Sequence, residues 1–117
     1  MEQLTKNFNL SEFVCHCGCG SNYINRDLVD KLQLVRDKMG PMSVTSGVRC
    51  EAHNIKIGGS LSSSHIDGVA VDVKCETGLF RQKILTEMTK YFQRIGIAKN
   101  FIHVDIDSTK SPSVSLY

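Results

Sequence analysis

Tryptophan is absent from the 117-residue chain and proline occurs only twice, which excludes a proline-rich recognition strip or a collagen-like repeat. Charge of one sign is also scarce: 14 Lys and Arg face 12 Asp and Glu, for a formal net charge of +2. No basic run exceeds two residues, so nothing in the charge pattern argues for a nucleic-acid partner. No apolar stretch approaches the roughly 18 residues of a membrane span, so no membrane partner is expected. The start, MEQLTKNFNL, lacks a basic segment followed by an apolar core, so no secretory signal is visible and synthesis in the cytoplasm is expected. Hydrophobic residues make up 41% and charged residues 22%, which suits a packed core and argues against disorder. A chain this short is expected to form one domain over residues 1–117.

Five cysteines stand out: Cys15, Cys17, Cys19, Cys50 and Cys75. An odd number forbids complete internal pairing, and a reducing compartment keeps thiols free or metal-bound. Three of them form C-x-C-x-C within FVCHCGCGS, and alternate residues of an extended segment point the same way. Zinc fingers normally use C-x2-C or longer spacing, and no second pair follows. A Gly-rich turn with small buried side chains is the plainest reading. A metal site or a disulfide involving Cys50 is the alternative, and a catalytic thiol is the third. His53 is expected to cap or pack rather than join Cys50 in a second metal site, and His16 is expected in solvent.

The spacing predicts a helix over 25–39, where Leu28, Leu32, Val35 and Met39 fall on one face, Asn25 is a cap and Gly40-Pro41 a stop. Residues 7–14 read as an anchor with one helical turn capped by Asn9 or Ser11, and 15–24 as a Gly/Cys turn. Residues 42–48 are β-prone, and 50–64 read as a loop, given Gly58-Gly59 and four serines. A strand is expected over 68–74 and another over 100–107. Between them a second helix is expected over 78–93, with Leu79, Ile84, Leu85, Met88 and Phe92 on or near one face. The tail SPSVSLY reads as a further edge strand. The fold class is α+β, with a small antiparallel sheet packed against two or three helices.

Two places carry chemistry. In S63-S-H-I-D-G-V-A-V-D72, a loop followed by a strand can bring His65 to Asp72, and both are good zinc ligands. An unpaired carboxylate between Val71 and Val73 is costly unless it meets water, a cation or donors. In F-I-H-V-D (101–105), His103 and Asp105 share one strand face and Ile102 and Val104 the other, as the floor of a site needs. Taken alone, His103 is more often a satisfied polar residue than a ligand.

The word S-x-H-x-x-G-x-A-x-D (Ser63, His65, Gly68, Ala70, Asp72), followed by the strand bearing His103, resembles the M15 peptidases. That group includes zinc D-Ala-D-Ala carboxypeptidases, D,D-dipeptidases and phage L-Ala-D-Glu endolysins, and the hedgehog signalling domain shares its fold. Upstream, Ser46-Gly47-Val48-Arg49-Cys50, His53-Asn54 and Gly58-Gly59 are similar to the family's S-G-x-R segment and the loop after it. The N-terminal F-x-C-x-C-G-C-G resembles its compact phage and bacterial branch. The resemblance implies Zn²⁺ held by His65, Asp72 and His103, with Arg49 binding a substrate carboxylate or carbonyl and Ser63 hydrogen-bonding substrate or site. It implies hydrolysis of the peptide stems of bacterial peptidoglycan. It is also compatible with a phage-encoded enzyme acting on the wall after release or as part of a virion. One departure matters. Many members carry an acid three residues before the last His ligand, and here that residue is Asn100; the second His that several members place two before the ligand is Phe101. Asp105 is the nearest substitute, as base or as partner of His103, and Asp67 is another carboxylate nearby. The departure keeps open a degenerate zinc-bearing binding domain of the same fold. A Cys-dependent redox or nucleic-acid module built on Cys15, Cys17 and Cys19 is the remaining class.

Overall fold

The computed structural model describes residues 2–117. Its elements run in the order α1 (Arg26–Met39), β1 (Val44–Ser46), α2 (Glu51–Lys56), β2 (Ala70–Lys74), α3 (Gly78–Met88), β3 (Arg94–Ile97), β4 (Phe101–Asp105) and β5 (Ser113–Leu116), after a 3-10 turn at Leu10–Glu12. The architecture is α+β, as expected. The five strands form one sheet in the order β1-β2-β4-β3-β5. The sheet is mixed rather than wholly antiparallel, because β5 runs parallel to β3.

Helix α1 forms where its apolar spacing places it. Leu28, Val29, Leu32 and Val35 are buried, Asn25 Oδ1 accepts from the Asp27 N–H, and Gly40 ends the helix at φ +81°. The turn at Leu10–Glu12 is closed by a capping box between Asn9 and Glu12. Helix α3 starts at its Thr77 cap but stops at Met88, short of the expected residue 93. Beyond it, Phe92 turns into the core and Arg94–Ile97 leave as a strand, which supplies β4 with a second neighbour. Leu79 is 65% exposed, so the buried face of α3 is Ile84 and Met88 instead. The expected loop over 50–64 holds a short helix, α2, capped by Cys50, whose Sγ accepts from the His53 N–H.

The sheet has one dry face and one polar face. Val71 and Val73 of β2, Ile102 and Val104 of β4, and Ile95 of β3 join the side chains of α1 and α3 in the core, together with Phe8 and Phe13 of the N-terminal segment. On the opposite face the register sets Asp72 against His103, and Arg94 against Asp105. A break in register between Val44 and Ser46 lets β1 place Ser46 beside Asp72.

The loop before β2 is tied to the chain after β4 through Asp107. Its carboxylate accepts from Ser64 Oγ at 2.7 Å, the Thr109 hydroxyl and the Thr109 N–H, and Lys110 Nζ lies 3.6 Å away. Burial alone would raise its pKa, but these donors and the cation bring it down to about 2. An unfolded aspartate titrates near 3.9, so the contribution of Asp107 is present above about pH 4 and fades as pH falls toward 2. Wild type should therefore be more stable than Asp107→Asn at neutral pH, with the gap in denaturant midpoints closing between about pH 4 and pH 2. A gap independent of pH would contradict this.

Candidate metal centre

Three segments meet at the polar face of the sheet. Asp72 and His103 come from paired strands, and His65 comes from the loop that precedes β2. All three side chains are largely buried. His65 Nε2 lies 3.2 Å from Asp72 Oδ1, and His103 Nδ1 lies 2.9 Å from the same oxygen. One donor atom from each residue falls within 4.8 Å of the others.

The outer nitrogens decide what these atoms can do. His65 Nδ1 is 2.7 Å from the Gly47 carbonyl, which can only accept, so that nitrogen carries the proton. His103 Nε2 is 2.7 Å from Asp105 Oδ2, which fixes its proton in the same way. The inner nitrogens, His65 Nε2 and His103 Nδ1, both face Asp72 Oδ1, which only accepts, so each contact is satisfied by a ring proton or by a cation between the atoms. Two imidazoles and a carboxylate converging with their outer nitrogens held in place are a donor set that suits zinc. Residues His65, Asp72 and His103 fit such an ion.

The surrounding electrostatics agree. Burial would raise the Asp72 pKa, but hydrogen bonds and charge from His103 and His65 hold it down at about 2, so it is ionised at any ordinary pH. Burial would lower the His103 pKa, yet hydrogen bonds to Asp105 and Asp72 raise it. The site favours positive charge between its carboxylates, whether proton or metal.

Arg49 reaches the same place. Its Nη1 donates to Asn54 Oδ1 (3.0 Å), its Nε to Ser46 Oγ (3.3 Å), and its Nη2 lies 3.6 Å from Asp72 Oδ2. The segment that carries it passes close to the N-terminal anchor. The Val48 N–H donates to the Phe13 carbonyl at 2.7 Å, and a Cβ at Gly47 would lie 2.6 Å from that same oxygen. Only glycine permits this approach, and the approach brings the Gly47 carbonyl to His65.

The remaining expected residues fall as follows. Ser63 is half-buried and lines the cleft of about 360 Å³ over the site; its hydroxyl accepts from the His65 N–H at 3.3 Å. Asp105 is buried, with Oδ2 on His103 and Oδ1 on Arg94 Nε at 2.8 Å. Burial would raise its pKa, but His103, the Asp107 N–H and Arg94 lower it. Asp67 is exposed on a separate surface, and Asn100 is exposed at the start of β4, outside the cleft lining. Phe101 forms part of the cleft wall.

Several residues were missed from the sequence. Buried Asn54, which orients Arg49, was visible only as part of the S-G-x-R neighbourhood. Arg94 and Lys110 line the cleft, and Tyr117 packs its ring 6.0 Å from that of His103; none carries a local motif.

The family model described as Peptidase M15 matches residues 6–105. The chain belongs to the peptidase M15 family. The match spans both ends of the site, from the N-terminal anchor to Asp105 at the end of β4. M15 peptidases are zinc-dependent, which accords with the His65–Asp72–His103 donor set. A search of curated proteins gave no match.

Because Asp105 holds the His103 ring from behind, Asp105→Ala should weaken zinc binding by about 10- to 100-fold while the chain stays folded. Competition with a chromophoric chelator measures this, and an unchanged affinity would show that the His103–Asp105 bond does not tune the centre.

Proposed function

We propose that the chain is a zinc peptidase that hydrolyses amide bonds in the peptide stems of bacterial peptidoglycan, as a D,D-carboxypeptidase or an endopeptidase. The observation that carries this reading is the convergence of His65 Nε2, His103 Nδ1 and the Asp72 carboxylate at one point of the cleft, with the outer ring nitrogens held by the Gly47 carbonyl and Asp105. Zinc bound there supplies Lewis acidity toward the scissile carbonyl and lowers the pKa of a bound water.

The chain's own residues bind and orient. Arg49, braced by Ser46 and Asn54, keeps further N–H groups for a substrate carboxylate or carbonyl, and a planar fork suits that task better than an ammonium. Ser63 offers its hydroxyl to the peptide. Three cations, Arg49, Arg94 and Lys110, line the cleft against the carboxylates of Asp72 and Asp105, which favours a substrate that brings negative charge. Phe101 supplies an apolar wall for a side chain. Asp105, with both oxygens engaged, orients His103 rather than taking a proton from water.

That last point also favours a second reading. Both carboxylates that line the cleft are committed, and Asn100 stands where many members of the family carry an acid. A domain that binds zinc and peptide without hydrolysis fits this arrangement.

Incubation of zinc-loaded protein with purified peptidoglycan separates the two. Release of new amino groups or of free D-alanine, lost in His65→Ala, is the expected result. No release from several wall chemistries by folded, zinc-loaded protein would overturn hydrolysis and leave the binding domain. Arg49→Lys should raise KM by about tenfold or more, the cost of a lost charge-assisted hydrogen bond, with a smaller effect on kcat.

A further inference from the structure

A second cluster lies outside the cleft. Cys15, Cys17, Cys19 and Cys50 bring their sulfurs within 4.8 Å of one another, although Cys50 is 35 residues from Cys15 in sequence. The sulfur–sulfur distances are 3.5 Å for Cys15–Cys17, 3.6 Å for Cys17–Cys50 and 3.9 Å for Cys15–Cys50. A disulfide requires about 2.05 Å, and all four cysteines are free. Four sulfurs placed about 2.3 Å from a central zinc stand about 3.8 Å apart along each tetrahedral edge. The observed separations bracket that value. Cys17 and Cys19 are exposed, so the cluster is not a set of small side chains buried for packing.

The backbone around the sulfurs is arranged for charged thiolates. The Cys50 N–H donates to Cys15 Sγ, the His53 N–H to Cys50 Sγ and the Ser21 N–H to Cys19 Sγ, each at 3.4 Å. Amide donors aimed at sulfur stabilise metal-bound thiolate. Gly18 and Gly20 take φ of +82° and +85°, which lets the C-x-C-x-C segment curl so that three alternate thiols face Cys50.

We propose that Cys15, Cys17, Cys19 and Cys50 form a closed tetrathiolate site for one zinc ion. Four protein ligands leave no position for water or substrate, so the ion's work is structural. Binding converts the thiols to thiolates and releases their protons to solvent. The site ties the N-terminal segment to residue 50, next to Arg49 and three residues from the Gly47 carbonyl that holds His65. It thus braces the arm that serves the His65–Asp72–His103 centre without touching that centre. The proposal does not depend on hydrolysis.

Metal content of the full chain, purified under reducing conditions, tests it. Wild type should carry two zinc ions per chain, one for each cluster. His65→Ala should lose one and keep the other. The double variant Cys17→Ser/Cys19→Ser, altered at exposed positions, should lose the other. Substitution with Co²⁺ gives a readout that needs no cysteine variant: wild type and His65→Ala should both show a thiolate-to-cobalt charge-transfer band in the near ultraviolet. Equal zinc content in wild type and the double cysteine variant would overturn the proposal. So would the absence of that band from cobalt-loaded wild type, or an intact mass showing that the four cysteines have paired as disulfides under reducing conditions.

Discussion

The pairing of Asp72 with His103 across strands β2 and β4 is the contact on which the rest depends. Side chains alternate along a strand, so the register that sets this pair on the polar face also sends Val71, Val73, Ile102 and Val104 into the core. A slip of one residue would bury the carboxylate and expose the valines, and hydrophobic burial resists that strongly. The core therefore enforces the geometry of the site. Asp105, one alternate position further along β4, then lies behind His103 and sets its tautomer.

The third donor is not on the sheet and needs a different support. His65 sits on a loop whose neighbour Ser64 is bound to Asp107, while its own ring is held by the Gly47 carbonyl. Gly47 belongs to the arm that crosses Phe13, carries Arg49 and ends at Cys50. The N-terminal segment, the arm and the loop form one connected support, and a metal ion among the four cysteines would lock its far end. The small core of such a chain makes this kind of local fastening worthwhile.

Much of this was legible in the residues. The 3.6-residue spacing of Leu28, Leu32 and Val35 marked α1, and the alternation in F-I-H-V-D marked both faces of β4. The S-x-H-x-x-G-x-A-x-D word marked two donors of the site. What was hidden is what tertiary contacts decide. Arg94–Ile97 is a short run with a glycine in it, and it becomes a strand because β4 offers an unpaired edge. The six residues of α2 are too few to announce a helix by periodicity, and their cap is a cysteine. Asn54, Arg94 and Tyr117 act through partners far away in sequence. The C-x-C-x-C spacing matched no familiar zinc pattern; a site shared with Cys50 stood only as an alternative to a packed Gly-rich turn, because Cys50 lies beyond α1 and β1 and only the tertiary fold brings its sulfur to the other three.

The central claim is that both imidazoles donate outward and turn opposite nitrogens, Nε2 of His65 and Nδ1 of His103, toward one ion beside Asp72. Nitrogen-15 NMR of the histidine rings in zinc-loaded protein reads this directly. The account predicts His65 protonated at Nδ1 and His103 protonated at Nε2, with the other nitrogen of each ring shifted by metal. Rings that share the same protonated nitrogen, or that show no metal-induced shift, would contradict it.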